Sequence, residues 1–298
     1  MIEYDRYDWL GIVFSFRGTA LRIVAMRMVA ITLFAVVIQL IYEGGLLLGL
    51  KSRLFVFDAA EHAVLGSLLG FLIVFRMNAS SNRYWEGRSL WGQIINSSRN
   101  LARAGAEYTT GGRELADLVS GYAIALRRSL QGNKDLLETE DFLPEPVRAQ
   151  AATFGNPPTA IAAAITEWIA RYHRLGQIDS QLVRHIEDQL SKLVDAQGGC
   201  EKIRKTPLPF AYVVMIKQLI LVYLATLPIV VCDHCGWWTP VLVAIVALGL
   251  FGMEEVSVEI EDPFGTLENC LDMETFTLTI ARDVGQLAGR KTGAPSAP

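Results

Sequence analysis

The stretch MVAITLFAVVIQLIY, residues 28–42, lies between Arg27 and Glu43 and carries no charge. A bilayer core about 30 Å thick takes roughly 20 mostly apolar residues to cross as a helix. The apolar run extends on either side to about residues 23–48, which is long enough. Three more segments of this kind follow. AAEHAVLGSLLGFLIVFRMN occupies 59–78. A third covers about 210–231, with Lys217 near its start. The fourth, at about 239–256, contains VLVAIVALGLFGM. The pattern predicts an all-α chain with four transmembrane helices. A large soluble helical protein with buried helices is the alternative, kept open by the shortness of the second and fourth segments.

Helix-end chemistry fits these limits. Asp58, followed by Glu61, makes a capping-box pattern at the start of the second span. Thr239 and Pro240 read as an N-cap with proline in the first turn. Trp237 and Trp238 are aromatics of the kind found where a helix enters lipid. Pro228 is expected to bend the last turn of the third span.

Composition excludes more than it identifies. The hydrophobic fraction of 51% is close to that of soluble chains, so the clustering of apolar residues carries the membrane reading. A net charge of −4 leaves no basic footprint for nucleic acid, and there is no phosphate-binding glycine loop. Four cysteines are too few for a disulfide scaffold. Cys200 and Cys270 read as free thiols. The polar start MIEYDRYDW is not the apolar core of a cleavable signal peptide.

Charge also gives orientation. Of the 27 Lys and Arg, only Lys51 and Arg53 lie between the first two spans, and none lies between the third and fourth. Most fall between Arg76 and Lys217. The positive-inside rule places that region and both termini in the cytoplasm, for a multi-pass protein of the cell inner membrane.

The region 83–205 reads as a cytoplasmic helical body. In 179–197, Leu182, Ile186, Leu190, Leu193 and Val194 form one apolar stripe at helical spacing. Further helices are expected at 84–108, 112–131 and 158–175, separated by loop signals at Gly111–Gly112, Pro144–Pro146 and 155–158. The tail 290–298 is expected to be disordered. The whole of 1–298 reads as one domain.

FLIVFRMNASSNRYWEGRSLWGQ (71–93), with its Arg83-Tyr84-Trp85 run, resembles the pore-helix exit of the bestrophin family, specifically its bacterial branch. SFRGTALR (15–22) resembles the segment before that family's first span. TPLPFAY (206–212) resembles the segment before the third, and EDPFG (261–265) the signature after the fourth. The four matches run in family order around the same four-helix layout.

The resemblance implies a homopentameric ion channel whose second helices line a central pore in the lipid bilayer. It implies a hydrophobic neck at Ser67, Phe71 and Phe75, spaced so that they share one helix face. Ser67 departs from the family's larger apolar residue, which predicts a shorter or more hydrated neck. Ordinary packing against neighbouring helices is the alternative for the two phenylalanines. Gly66 and Gly70 beside them would let helices approach closely. A second, cytoplasmic aperture falls nominally on Gln181, with Ile178 as its neighbour. Hydrophobic rings carry no sign. The bacterial style of the motifs and the carboxylate-rich body favour cations such as sodium or potassium. The alternatives are a chloride-selective channel or a secondary transporter.

No catalytic, metal or cofactor site is expected. Glu254, Glu255, Glu259, Glu261 and Asp262 read as a solvated or salt-bridged acidic face rather than a calcium clasp. Cys232-Asp233-His234-Cys235 lacks further ligands for zinc and reads as a disulfide or two free thiols in an exposed loop. His62 is expected at the outer mouth or the membrane interface. His173 and His185 read as surface residues.

Overall fold

A computed structural model describes residues 5, 7–15, 18–47 and 59–289. Asp58, Lys51, Arg53, part of the 15–22 motif and the tail from 290 lie outside the described residues. Among the described residues there are ten α-helices and no strand. In chain order they are α1 (Trp9–Val13), α2 (Leu21–Leu47), α3 (Ala59–Tyr108), α4 (Gly112–Leu130) and α5 (Glu145–Thr153), then α6 (Pro157–Arg174), α7 (Ser180–Lys205), α8 (Phe210–Cys235), α9 (Thr239–Glu261) and α10 (Met273–Gly289). The chain divides into two compact units rather than one, residues 1–84 with 207–262 and residues 85–206 with 263–298.

In the first unit α2 packs on α8 and α9, and α8 packs on α9. The shared core contains Ile31 and Ala35 of α2, Leu69 and Ile73 of α3, Ile220 and Leu224 of α8, and Val243 and Ala247 of α9. The outward faces are equally apolar: Leu33 and Val37, Val64 and Leu68, Leu221 and Val222, and Ile245 are all exposed. Helices apolar on every side suit an apolar surrounding. Among the described residues, three stretches are long and apolar enough to cross a membrane, Leu21–Gly45, Ala59–Tyr108 and Phe210–Glu261. The last contains both α8 and α9, separated at Gly236, whose φ of 51° is strained for any residue with a side chain.

Several boundaries differ from expectation. Pro228 lies inside α8, which continues to Cys235. The Cys232–Cys235 cluster is therefore the last turn of a helix rather than an exposed loop. Both thiols are free, and Cys232 is buried, its Sγ donating to the Ile229 carbonyl at 3.3 Å. Trp238, not Thr239, occupies the cap position of α9, and the helix runs past 256 to Glu261. No break follows Asn78: α3 continues through the polar 78–82 stretch, where Ser80 is fully buried.

In the second unit α4 is central, packing against α6, α7 and α10. Leu115, Val119, Tyr122 and Leu126 are completely buried along it. Tyr122 donates its hydroxyl to Gln197 Oε1 at 2.6 Å, and the Gln197 amide donates to Thr159 Oγ1 at 3.1 Å. Burial pushes the Tyr122 phenol well above its ordinary value. The α7 stripe is as expected at Ile186, Leu190 and Leu193, while Val194 stands exposed. Pro146 and Pro157 sit in the first turns of α5 and α6 rather than in loops, because a first-turn residue needs no N–H partner. The last helix, α10, was not signalled by its sequence. Asp272 caps it, accepting from the Thr275 N–H at 3.0 Å and from its hydroxyl at 2.8 Å. The Thr275 N–H holds the Asp272 carboxyl below its usual range.

Candidate functional site

The membrane-facing part of α3 has two contrasting faces. Leu69, Ile73, Arg76 and Ser80 point into the first unit and are buried. Ser67, Phe71 and Phe75 fall on another face and are exposed, the phenylalanines at 65% and 63%. The Ser67 hydroxyl donates to the Ala63 carbonyl at 2.9 Å, so its proton is taken up within its own helix. Gly66 meets the expectation of close approach, since a Cβ there would lie 2.8 Å from the Tyr223 hydroxyl oxygen. Gly70 does not, because a Cβ there would meet nothing within 4 Å.

The buried face is held by charge. Arg76, at 1% exposure, lies 3.1 Å from Glu254 Oε1, and Glu254 is 2% exposed. Lys217 reaches the same oxygen at 2.6 Å. Arg27 lies 3.8 Å from Glu254 and 2.9 Å from Glu255. Arg76 Nε also donates to the Ser257 hydroxyl at 3.1 Å, and Ser257 and Ser80 share a hydrogen bond at 3.0 Å. Glu261 accepts the Leu208 N–H at 2.9 Å, and its carbonyl accepts Arg83 Nε at 3.0 Å. Four helices are thus joined at one level. Glu254, Glu255 and Glu261 of the acidic run are salt-bridged, as one of its two expected forms had it. The burial of Glu254 was the part that composition did not signal.

At the other end of this unit His62 is buried rather than lining a mouth. Its ring stacks on Tyr223 at 4.3 Å, and Nε2 lies 3.0 Å from Thr226 Oγ1. Tyr42 donates to Asp233 at 2.5 Å, tying α2 to the last turn of α8.

In the second unit the two aperture positions separate. Asp179 caps α7 by accepting the Leu182 N–H at 2.8 Å. Gln181, in the first turn, is exposed. Ile178 is 2% exposed, and its carbonyl meets His173 Nδ1 at 2.9 Å. Of the two, Ile178 is thus enclosed within its own unit and Gln181 is the accessible one. His173 and His185 are exposed, as expected. Phe264 of the EDPFG motif is completely buried against Gly87, where a Cβ would come within 3.0 Å of its ring. Two of the quoted motifs therefore meet in the fold. Among the described residues no group of three or more His, Cys, Asp or Glu is placed to hold a metal ion.

The sequence profile of the Bacterial/Fungal Bestrophin protein family matches residues 1–286. The chain belongs to that bestrophin family. A voltage-dependent anion channel-forming protein of Nostoc sp. is 33% identical over 292 residues, covering 94% of this chain and 91% of that protein. The Escherichia coli voltage-dependent anion channel-forming protein YneE is 27% identical over 290 residues, covering 96% and 94%. A crystal structure of a bacterial bestrophin homologue from Klebsiella pneumoniae shares the fold, with a TM-score of 0.82 at 23% identity over 89% of this chain and 98% of that one.

Proposed function

We propose that this bestrophin is a membrane ion channel for small monovalent anions such as chloride, assembled as a homopentamer with α3 lining the pore. One observation carries the reading. Ser67, Phe71 and Phe75 stand on an outward face of α3 while the opposite face is fixed by the Arg76–Glu254 ion pair. Fivefold repetition of that face makes stacked rings, and rings of phenylalanine form a constriction that gates by losing water. The Ser67 ring is the wetter end. Gln181, exposed at the start of α7, is the cytoplasmic aperture.

The sequence favoured cations, but the named relatives favour anions, and the neutral neck opposes neither. Their designation as channel-forming also speaks against a transporter or an enzyme. Four helices, α2, the first part of α3, α8 and α9, cross the bilayer in this reading. The sharp turn at Gly236 supports counting the last two separately. Both termini lie on the cytoplasmic side of the bacterial inner membrane, in keeping with the Lys and Arg distribution.

The test is single-channel recording from purified protein in planar bilayers under a potassium chloride gradient. Unitary currents reversing near the chloride potential are expected, with the Phe71→Ala/Phe75→Ala variant open for longer. Reversal near the potassium potential would restore the cation reading. Wild-type behaviour in the double variant would move the gate away from α3.

A further inference from the structure

A cavity of about 530 Å³ opens between α2, α8 and α9 in the first unit. Its walls change character along their length. Ile31, Ile220, Leu221 and Phe251 make it apolar, while Arg27 and Lys217 stand together with the Glu254 carboxylate. At 1.5 Å per residue, both cations sit only about 10 Å along their helices from the starts at Leu21 and Phe210. The two basic side chains are 47% and 46% exposed beside apolar surface. A half-exposed cation at that depth in a membrane helix calls for an anion or a route back to water.

Of the local acids, none is given over to Lys217 alone. Glu254 is shared by Arg76, Lys217 and Arg27, and Glu255 pairs with Arg27 alone. The third carboxylate, Glu261, reaches only Arg76, at 4.0 Å. Of the residues that line the cavity, two are cations, Arg27 and Lys217, and one is a carboxylate, Glu254, on which the enclosed Arg76 also draws. Arg has five N–H donors and Lys three, more than these contacts use.

We propose that this cavity binds an anionic membrane phospholipid, its phosphate between Arg27 and Lys217 and the start of one acyl chain along Ile31, Ile220 and Phe251. The proposal rests on the membrane reading above. Basic pockets between helices on the cytoplasmic side of a membrane are suited to such headgroups, each cation contributing about 1 kcal/mol, or roughly fivefold in binding.

The test uses the purified assembly in nanodiscs of equal phosphatidylglycerol and phosphatidylcholine, with retained lipid measured by mass spectrometry after detergent extraction. Phosphatidylglycerol is expected to be retained severalfold over phosphatidylcholine, and Arg27→Gln/Lys217→Gln should abolish that preference. Phe251→Trp keeps both charges and fills the cavity, so it should reduce retention of both lipids, with helicity by circular dichroism confirming that each variant folds. Equal enrichment in wild type and variants would overturn the proposal. So would displacement of the bound lipid by inorganic phosphate alone, which would reassign the site to a free anion. A protein that inserts into bilayers without lipid preference loses this inference alone. One that does not insert loses the membrane reading itself.

Discussion

The two units of this chain differ most in what they leave outside an apolar core. In the first, Arg76 and Glu254 are almost completely enclosed while Phe71, Leu33 and Ile245 face outward. In the second, Trp91, Tyr122 and Trp168 are enclosed, while Arg113 with Asp117 and Lys192 with Asp188 form pairs on the outside. The same twenty side chains are being sorted by two different surroundings. Where the surroundings are apolar, hydrophobic burial no longer discriminates inside from outside, and polar contacts set which face turns inward. Where the surroundings are water, the apolar stripe does that work.

The contrast is tested most severely at Arg76. Arg76→Ala removes the one enclosed partner of Glu254, leaving it the half-exposed Lys217 and the more distant Arg27, and breaking a buried pair in this way costs ~3–5 kcal/mol. Thermal unfolding in detergent should show the largest loss of any single substitution named here. An unchanged midpoint would mean that apolar packing alone orders the first unit.

In the second unit, Tyr122→Phe removes the hydroxyl that meets Gln197 at 2.6 Å but keeps the ring volume. A cost of about 1–2 kcal/mol is expected from the unsatisfied amide oxygen, read as an earlier midpoint in denaturant.

A smaller effect comes from alkali. Burial pushes the Cys200 thiol up from 9.0 to about 12, so the folded state favours the protonated form. That preference is fully present below the unfolded value of 9.0 and is lost as pH rises through the folded value of about 12. Already by pH 9 the unfolded thiol is half ionised, a loss of about 0.4 kcal/mol. Cys200→Ala should flatten this limb of the stability-against-pH curve. An identical alkaline limb in the variant would assign the effect to Tyr122.

The smallest effect is expected at Arg113, whose partner Asp117 lies one turn away at 3.2 Å. Arg113→Ala should cost only ~0.3 kcal/mol. A loss comparable to that of Arg76→Ala would remove the distinction between the units.

Much of this architecture could be read from the sequence. The charge-free run before Glu43 gave α2, and the stripe from Leu182 to Leu193 gave α7. The exit motif from Phe71 gave the family. The continuity of α3 was not legible, because Asn78, Ser81 and Asn82 are poor helix formers whose conformation is set by tertiary packing. The first-turn prolines of α5 and α6 resemble loop punctuation unless the next turn is known to be helical. Nor could the sequence pair Arg76 with Glu254, since nothing local links them. At the expected aperture, neighbouring residues diverged because Asp179 caps α7 there, with Ile178 enclosed before it and Gln181 exposed after it.

The contact between His62 and Thr226 joins two proton positions. The Thr226 hydroxyl lies within hydrogen-bond reach of two backbone carbonyls, that of Val222 at 2.9 Å and that of Tyr223 at 3.1 Å, and of His62 Nε2 at 3.0 Å. A hydroxyl has one hydrogen to give, and a ring nitrogen either gives or takes one, so the turn of the hydroxyl and the tautomer of the ring change together. The helix that carries the phenylalanine face is thereby linked to α8 through a hydrogen bond with two senses, and the nitrogen-15 resonances of His62 would report which sense it holds.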